Sequence, residues 1–160
     1  MMVLIWLKPV GYDSVYVDIV KLAFIIAFFT FVVAFLVRFM VRSTSVDVNV
    51  LIASINIYLL AGIIGASLSL VLYNLYPDAY NFPSYICAPV FVHFLYYSYI
   101  TMSSVGYGDI TPRIPETQTL AYLLSISGQL YVAIIIAFLI GKFLMHGDRA
   151  KIDQNNEENK

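Results

Sequence analysis

The residues whose types and spacing could do chemistry are Thr101-Met102-Ser103-Ser104-Val105-Gly106-Tyr107-Gly108-Asp109, and what they offer is backbone oxygen rather than reactive side chains. Gly106 and Gly108 stand at alternate positions, and without a Cβ each can take the positive φ that other residues avoid. Interleaving such residues lets successive carbonyls turn to one side of the strip. Four copies around an axis would stack rings of oxygens that replace the water shell of a bare cation. Other chemistries lack their parts. A Gly-x-Gly that opens a nucleotide site needs a third glycine and a preceding strand, and neither is here. Paired carboxylates, a nucleophile with its base, and clustered metal ligands are absent from the apolar segments, so the chain reads as no enzyme and as needing no cofactor. Cys87 stands alone, which rules out a disulfide within one chain.

A polar, glycine-bearing loop at membrane depth is tolerated only where protein buries it or where it lines a water-filled path. Membrane depth is what the composition implies: of 160 residues 61% are hydrophobic and 12% charged, with a mean hydropathy of +0.82, where a soluble domain carries about 25% charged residues. The net charge of -1 comes with no basic stripe, so nucleic acid is not an expected partner.

Three apolar runs are long enough to cross a hydrocarbon core of about 30 Å. Residues 1–7 are apolar but too short, with Lys8 following rather than preceding them; they read as an interfacial segment with Trp6 at headgroup level, ended by Pro9-Val10-Gly11. Residues 22–41 are apolar all round apart from Thr30 and Arg38 and read as the first span, with Lys21 and Arg38 snorkelling to opposite surfaces. Arg38 and Arg42 are too few for a voltage-sensing ladder and read as an anchor. Asp47 is placed to cap the second span, residues 50–76, which Pro77 stops. Ala61, Gly62, Gly65, Ala66 and Ser69 in that span permit close helix packing, and Asn56 reads as an interhelical hydrogen-bond donor. Tyr73, Tyr76, Tyr80 and Tyr85 suggest an aromatic belt at one surface. Residues 90–102 are too few to cross and read as a half-helix that enters and stops, its C-terminal dipole favouring a cation beyond it. His93 in this half-helix reads as a tether or outward-facing residue rather than a pH sensor. After the loop, Thr111-Pro112-Arg113-Ile114-Pro115 turns the chain into the third span, residues 118–144.

The string Ser104-Val105-Gly106-Tyr107-Gly108-Asp109 resembles the selectivity filter of the potassium channels, usually Thr-Val-Gly-Tyr-Gly-Asp, and residues 50–145 resemble the pore domain of small prokaryotic members of that family. The resemblance implies an all-α membrane protein with three transmembrane helices plus a re-entrant pore helix and filter loop in a tetrameric pore. It implies that carbonyls of Ser104, Val105, Gly106 and Tyr107 face potassium ions and that the Ser104 hydroxyl adds the innermost ring. Serine for threonine keeps the oxygen and loses a methyl that restricts the rotamer. Gly108 completes the filter, and Thr101, Tyr96, Tyr97 and Asp109 support it, the two tyrosines as a cuff around Tyr107 where the family often has tryptophans. Ile100 stands where some members carry a glutamate that pairs with the filter aspartate, so that pair is missing. In the last helix Gly128 occupies the place of a hinge and Gln129 follows it, while Val132, Ile136 and Leu139 share roughly one helical face, as either an apolar constriction or ordinary helix packing would have them.

The implied organisation is an N-terminal segment with an additional transmembrane helix (1–45), the pore domain (46–146) and a polar tail (147–160) expected to be disordered. No Lys or Arg lies between Arg42 and Arg113, whereas Arg42, Lys142, Arg149 and Lys151 mark the other surface. By the positive-inside rule the filter loop then faces outward, the C-terminus lies in the cytoplasm and the N-terminus outside, in the cell membrane. The expected partners are three further copies, the lipid bilayer and potassium ions. A weakly selective cation channel and a non-conducting membrane subunit are the competing readings.

Overall fold

The computed structural model of the chain describes residues 15–43, 48–76, 78–82 and 89–158. The interfacial segment with Trp6, the Asp47 cap, Pro77, Tyr85 and Cys87 lie outside the described residues. The architecture is that of an all-α membrane protein. Helices α1 (Val15–Arg42), α2 (Val48–Leu75), α3 (Val90–Met102) and α4 (Pro115–Glu158) are joined by two short strands, β1 (Tyr80–Asn81) and β2 (Thr111–Pro112). Three stretches are long and apolar enough to span a bilayer: Ile19–Arg42, Val48–Leu75 and Pro115–Phe138. The shortest of them rises about 36 Å at 1.5 Å per residue. At 13 residues, α3 reaches only part of the way.

Helix α2 is the shared wall. It packs against α1 on one side and against α3 and α4 on the other. The small residues expected to permit close packing do so: Gly62, Gly65, Ala66 and Ser69 are buried. A Cβ on Gly62 would overlap the ring of Tyr99, and one on Gly65 would come within 2.7 Å of Leu124. This close approach lets Tyr99 donate its hydroxyl to the Leu59 carbonyl at 2.7 Å, while Tyr131 of α4 donates to the Ser54 carbonyl at 2.5 Å. Both bonds tie long apolar helices together through a polar group that lipid could not satisfy. Asn56, expected in that role, is exposed instead; the tyrosines reach across because their longer side chains bridge a helix pair from the far side.

At the other end of α2 the aromatic residues form a core rather than a belt. Tyr80 is 5% exposed and Phe94 fully buried, with ring centroids 4.9 Å apart. Tyr73, Phe82 and Tyr97 surround them at 5.5–5.6 Å, edge-on or tilted as the ring quadrupoles prefer. Only Tyr76 of the described tyrosines there stays substantially exposed, at 46%. Burial pushes the Tyr80 phenol above its ordinary pKa, keeping it protonated. The cause of its burial is the antiparallel pairing of β1 with β2, Tyr80 opposite Pro112 and Asn81 opposite Thr111, which pulls the connection before α3 under the connection after the loop. Ala79 locks the join, its carbonyl accepting from the Arg113 amide at 2.9 Å and from the buried Thr117 hydroxyl at 3.0 Å.

Two helix starts differ most from the sequence reading. Helix α1 begins at Val15, before Lys21, and α4 begins at Pro115, whose missing N–H costs nothing in a first turn. The tail is not disordered as expected: α4 continues to Glu158. Once a helix exists, each added residue closes a further hydrogen bond, and beyond Gly147 the sequence supplies Arg149, Ala150, Lys151, Gln154, Glu157 and Glu158 with no proline.

Candidate functional site

The loop is anchored at both ends and bare between them. Met102 and Ile110 are 2% and 4% exposed, whereas residues 103–109 are all exposed, Val105 at 52% and Tyr107 at 72%. Helix α3 ends in a Schellman motif. The Val105 amide donates to the Ile100 carbonyl at 3.0 Å and the Ser104 amide to the Thr101 carbonyl at 3.0 Å. The Gly106 amide also reaches the Ile100 carbonyl, at 3.2 Å. Ile100, where a glutamate pair is missing, thus serves the loop through its backbone.

That motif demands a left-handed residue after the cap, usually glycine; here it is Ser104, at φ 58°. Gly106 follows at φ 54° and Gly108 at φ 77°, and these are the only positive-φ residues among those described. Left-handed conformations therefore recur at every second position from 104 to 108, the alternation that the two glycines led one to expect and that a serine extends by one. A Cβ on Gly106 or Gly108 would meet nothing within 4 Å, so glycine is required there by backbone angle and not by space.

Ser104 has a second attachment. Its hydroxyl oxygen lies 3.3 Å from that of Ser125 on α4. Three residues further along, Gly128 is buried against the end of α3: a Cβ there would overlap the Met102 carbonyl oxygen and lie 2.7 Å from its carbon and 2.8 Å from its Cα. Helix α4 runs through Gly128, the expected hinge, without interruption, and the missing side chain there admits the end of α3. The Met102 carbonyl, at the negative end of the α3 dipole, lies at this point.

The remaining predicted residues divide by face. Tyr97 is 3% exposed and packs on Tyr80 inside its own chain, so it is not free to form a cuff around Tyr107; Tyr96, its neighbour in α3, is 38% exposed and faces out. Thr101 is half-buried and Asp109 exposed at the end of the loop. Gln129 is exposed, as are Val132 at 42% and Ile136 at 53%; the Leu139 side chain lies outside the described residues. His93 is half-buried, with its ring 6.4 Å from that of Phe82. Sequence reasoning missed Ser125, Ile110 and the left-handed role of Ser104. Ser125 was detectable from its place one turn before Gly128 on a face of small residues.

No group of three or more His, Cys, Asp or Glu among the described residues is arranged to hold a metal ion by side chains. Comparison with known proteins found no match among curated proteins and none among solved structures. A family model described as "Ion channel" matches residues 50–145, more than half of the chain and the same stretch that resembled a pore domain. With three membrane-spanning helices, a half-helix and an exposed loop of alternating handedness, the chain belongs to this ion channel family, whose pore unit is a pair of transmembrane helices.

Proposed function

We propose that the chain is a potassium-selective channel that assembles as a homotetramer and lets ions run down their gradient. The observation that carries this is the alternation of left-handed φ at Ser104, Gly106 and Gly108 within Ser-Val-Gly-Tyr-Gly-Asp, on a loop whose flanks are buried and whose length is exposed. Peptide planes joined in alternating hands can present their oxygens in one row, and rings of such rows take the place of water around a dehydrated ion. One chain supplies one row. The exposure of Val105, Tyr107, Val132 and Ile136 supports a closed ring of further copies around that row, with the exposed Tyr96 rather than the buried Tyr97 on the surface that would meet a neighbour's Tyr107. Potassium ions are the permeant ligand, held by the carbonyls of Ser104, Val105, Gly106 and Tyr107.

The distribution of Arg42, Arg113 and Lys142 supports a topology with the filter loop on the outer face of the cell membrane, the C-terminal part of α4 in the cytoplasm and the N-terminus outside. A second reading, weak selectivity among monovalent cations, is favoured by the 3.3 Å approach of the Ser104 and Ser125 hydroxyls, which turns the innermost side-chain oxygen partly toward its own chain. Reconstitution into potassium-loaded vesicles tests the proposal. Valinomycin-independent potassium efflux that sodium cannot replace supports it, and absence of flux at all voltages and pH values would leave a non-conducting membrane subunit.

A further inference from the structure

One face of α1 is covered by no other element among the described residues. Phe24, Phe28, Phe31, Phe35 and Phe39 are 45–74% exposed, and Arg38 and Arg42 are exposed beside them. At 100° per residue these seven positions fall within an arc of about 100°. The buried residues of the helix, Leu22 and Met40, lie on the opposite side, toward α2. At the end of the stripe Phe35, Arg38, Phe39, Arg42 and Ser43 line a hollow of about 300 Å³. The two guanidiniums are one turn apart, and the carboxylates whose side chains are described, Asp78, Asp109 and Glu116, belong to the two connections after α2 and α3 and to the first turn of α4.

We propose that this face is a binding site for an anionic phospholipid. The headgroup phosphate sits between Arg38 and Arg42, which offer paired N–H donors in the fork geometry that matches phosphate oxygens. One acyl chain lies along the phenylalanines. From Phe35 to Phe24 the stripe rises about 16 Å, one leaflet's share of a 30 Å hydrocarbon core. A choline headgroup carries the same phosphate but adds a cation beside the two guanidiniums, and that like-charge repulsion makes the site prefer net negative lipids.

The test is native mass spectrometry of the detergent-purified full chain with equimolar phosphatidylglycerol and phosphatidylcholine. Wild type should retain phosphatidylglycerol preferentially, R38Q/R42Q should lose that preference by roughly thirtyfold, and R113Q, altered on the opposite surface, should match wild type. R38K/R42K, which keeps charge but not the fork, should fall between, and F31A/F35A should bind several-fold more weakly with the preference intact. Equal retention of both lipids by wild type, or of phosphatidylglycerol by R38Q/R42Q, would overturn the site. Displacement of the lipid by glycerol phosphate at matched concentration would overturn the acyl groove, leaving a phosphate site alone. Efficient disulfide cross-linking of F31C/C87S between copies, with no lipid retained, would assign the face to a second chain instead.

Discussion

Replacing Gly128 by alanine separates two roles for that residue. As a hinge, Gly128 would matter because it lets α4 bend. As the structure has it, Gly128 matters because the backbone of Met102 rests on it, with atoms 2.7 and 2.8 Å from where a Cβ would stand and the carbonyl oxygen closer still. Alanine in a helix interior gains about 1 kcal/mol over glycine, and forcing a methyl into a packed contact costs about 1–3 kcal/mol. Net stability therefore changes by no more than about 2 kcal/mol, too little to prevent assembly. The strain has one outlet, because the obstacle is backbone: the end of α3 must shift, and Ser104 begins two residues beyond Met102. The expected result is a folded protein with an altered permeability ratio and conductance. As a control, Gly141→Ala on the same helix meets nothing within 4 Å and should leave both unchanged. Single-channel recording in planar bilayers with potassium and sodium reads them directly. If Gly128→Ala changed only the open probability, with permeability ratio and conductance as in wild type, the packing account would fail and the hinge would stand.

Three further outcomes follow from the same geometry. Gly106→Ala finds open space but a φ of 54°, which costs an L-residue about 1–2 kcal/mol in each chain; it should insert normally and lose selective conduction, as read by flux beside a membrane-insertion assay. Tyr99→Phe removes the hydrogen bond to Leu59 that the absent side chain of Gly62 makes possible, and should lower stability by about 0.5–1.5 kcal/mol in a thermal melt in detergent. Ser125→Ala frees the Ser104 hydroxyl from its neighbour 3.3 Å away and should change selectivity without lowering thermal stability measurably.

How far the fold was legible depended on whether the signal was local. The half-helix was read to its observed bounds, Val90–Met102, because Pro89 precedes it and the loop string ends it. The small-residue face of α2 was legible for the same reason: Gly62 and Gly65 have no other evident use in a span. The β1–β2 pair was not, since two residues with a proline among them carry no strand pattern and are held by the distant Ala79 and Thr117. Tyr96 and Tyr97 are adjacent and alike, and only the position of Tyr80 decides which turns inward. Within the site, the glycines declared their angles, but Ser104 hid a left-handed conformation that its residue type disfavours and that the helix ending imposes. The tail misled because its composition is polar, while its structure follows from the helix it continues.

The most direct measurement is the reversal potential of the reconstituted channel with potassium on one side and sodium on the other. Backbone rings formed by Ser104, Val105, Gly106 and Tyr107 predict a shift toward the potassium equilibrium of about 59 mV for each tenfold of preference, with at least a tenfold preference and its loss in Gly106→Ala. A reversal potential near zero in wild type would contradict that coordination.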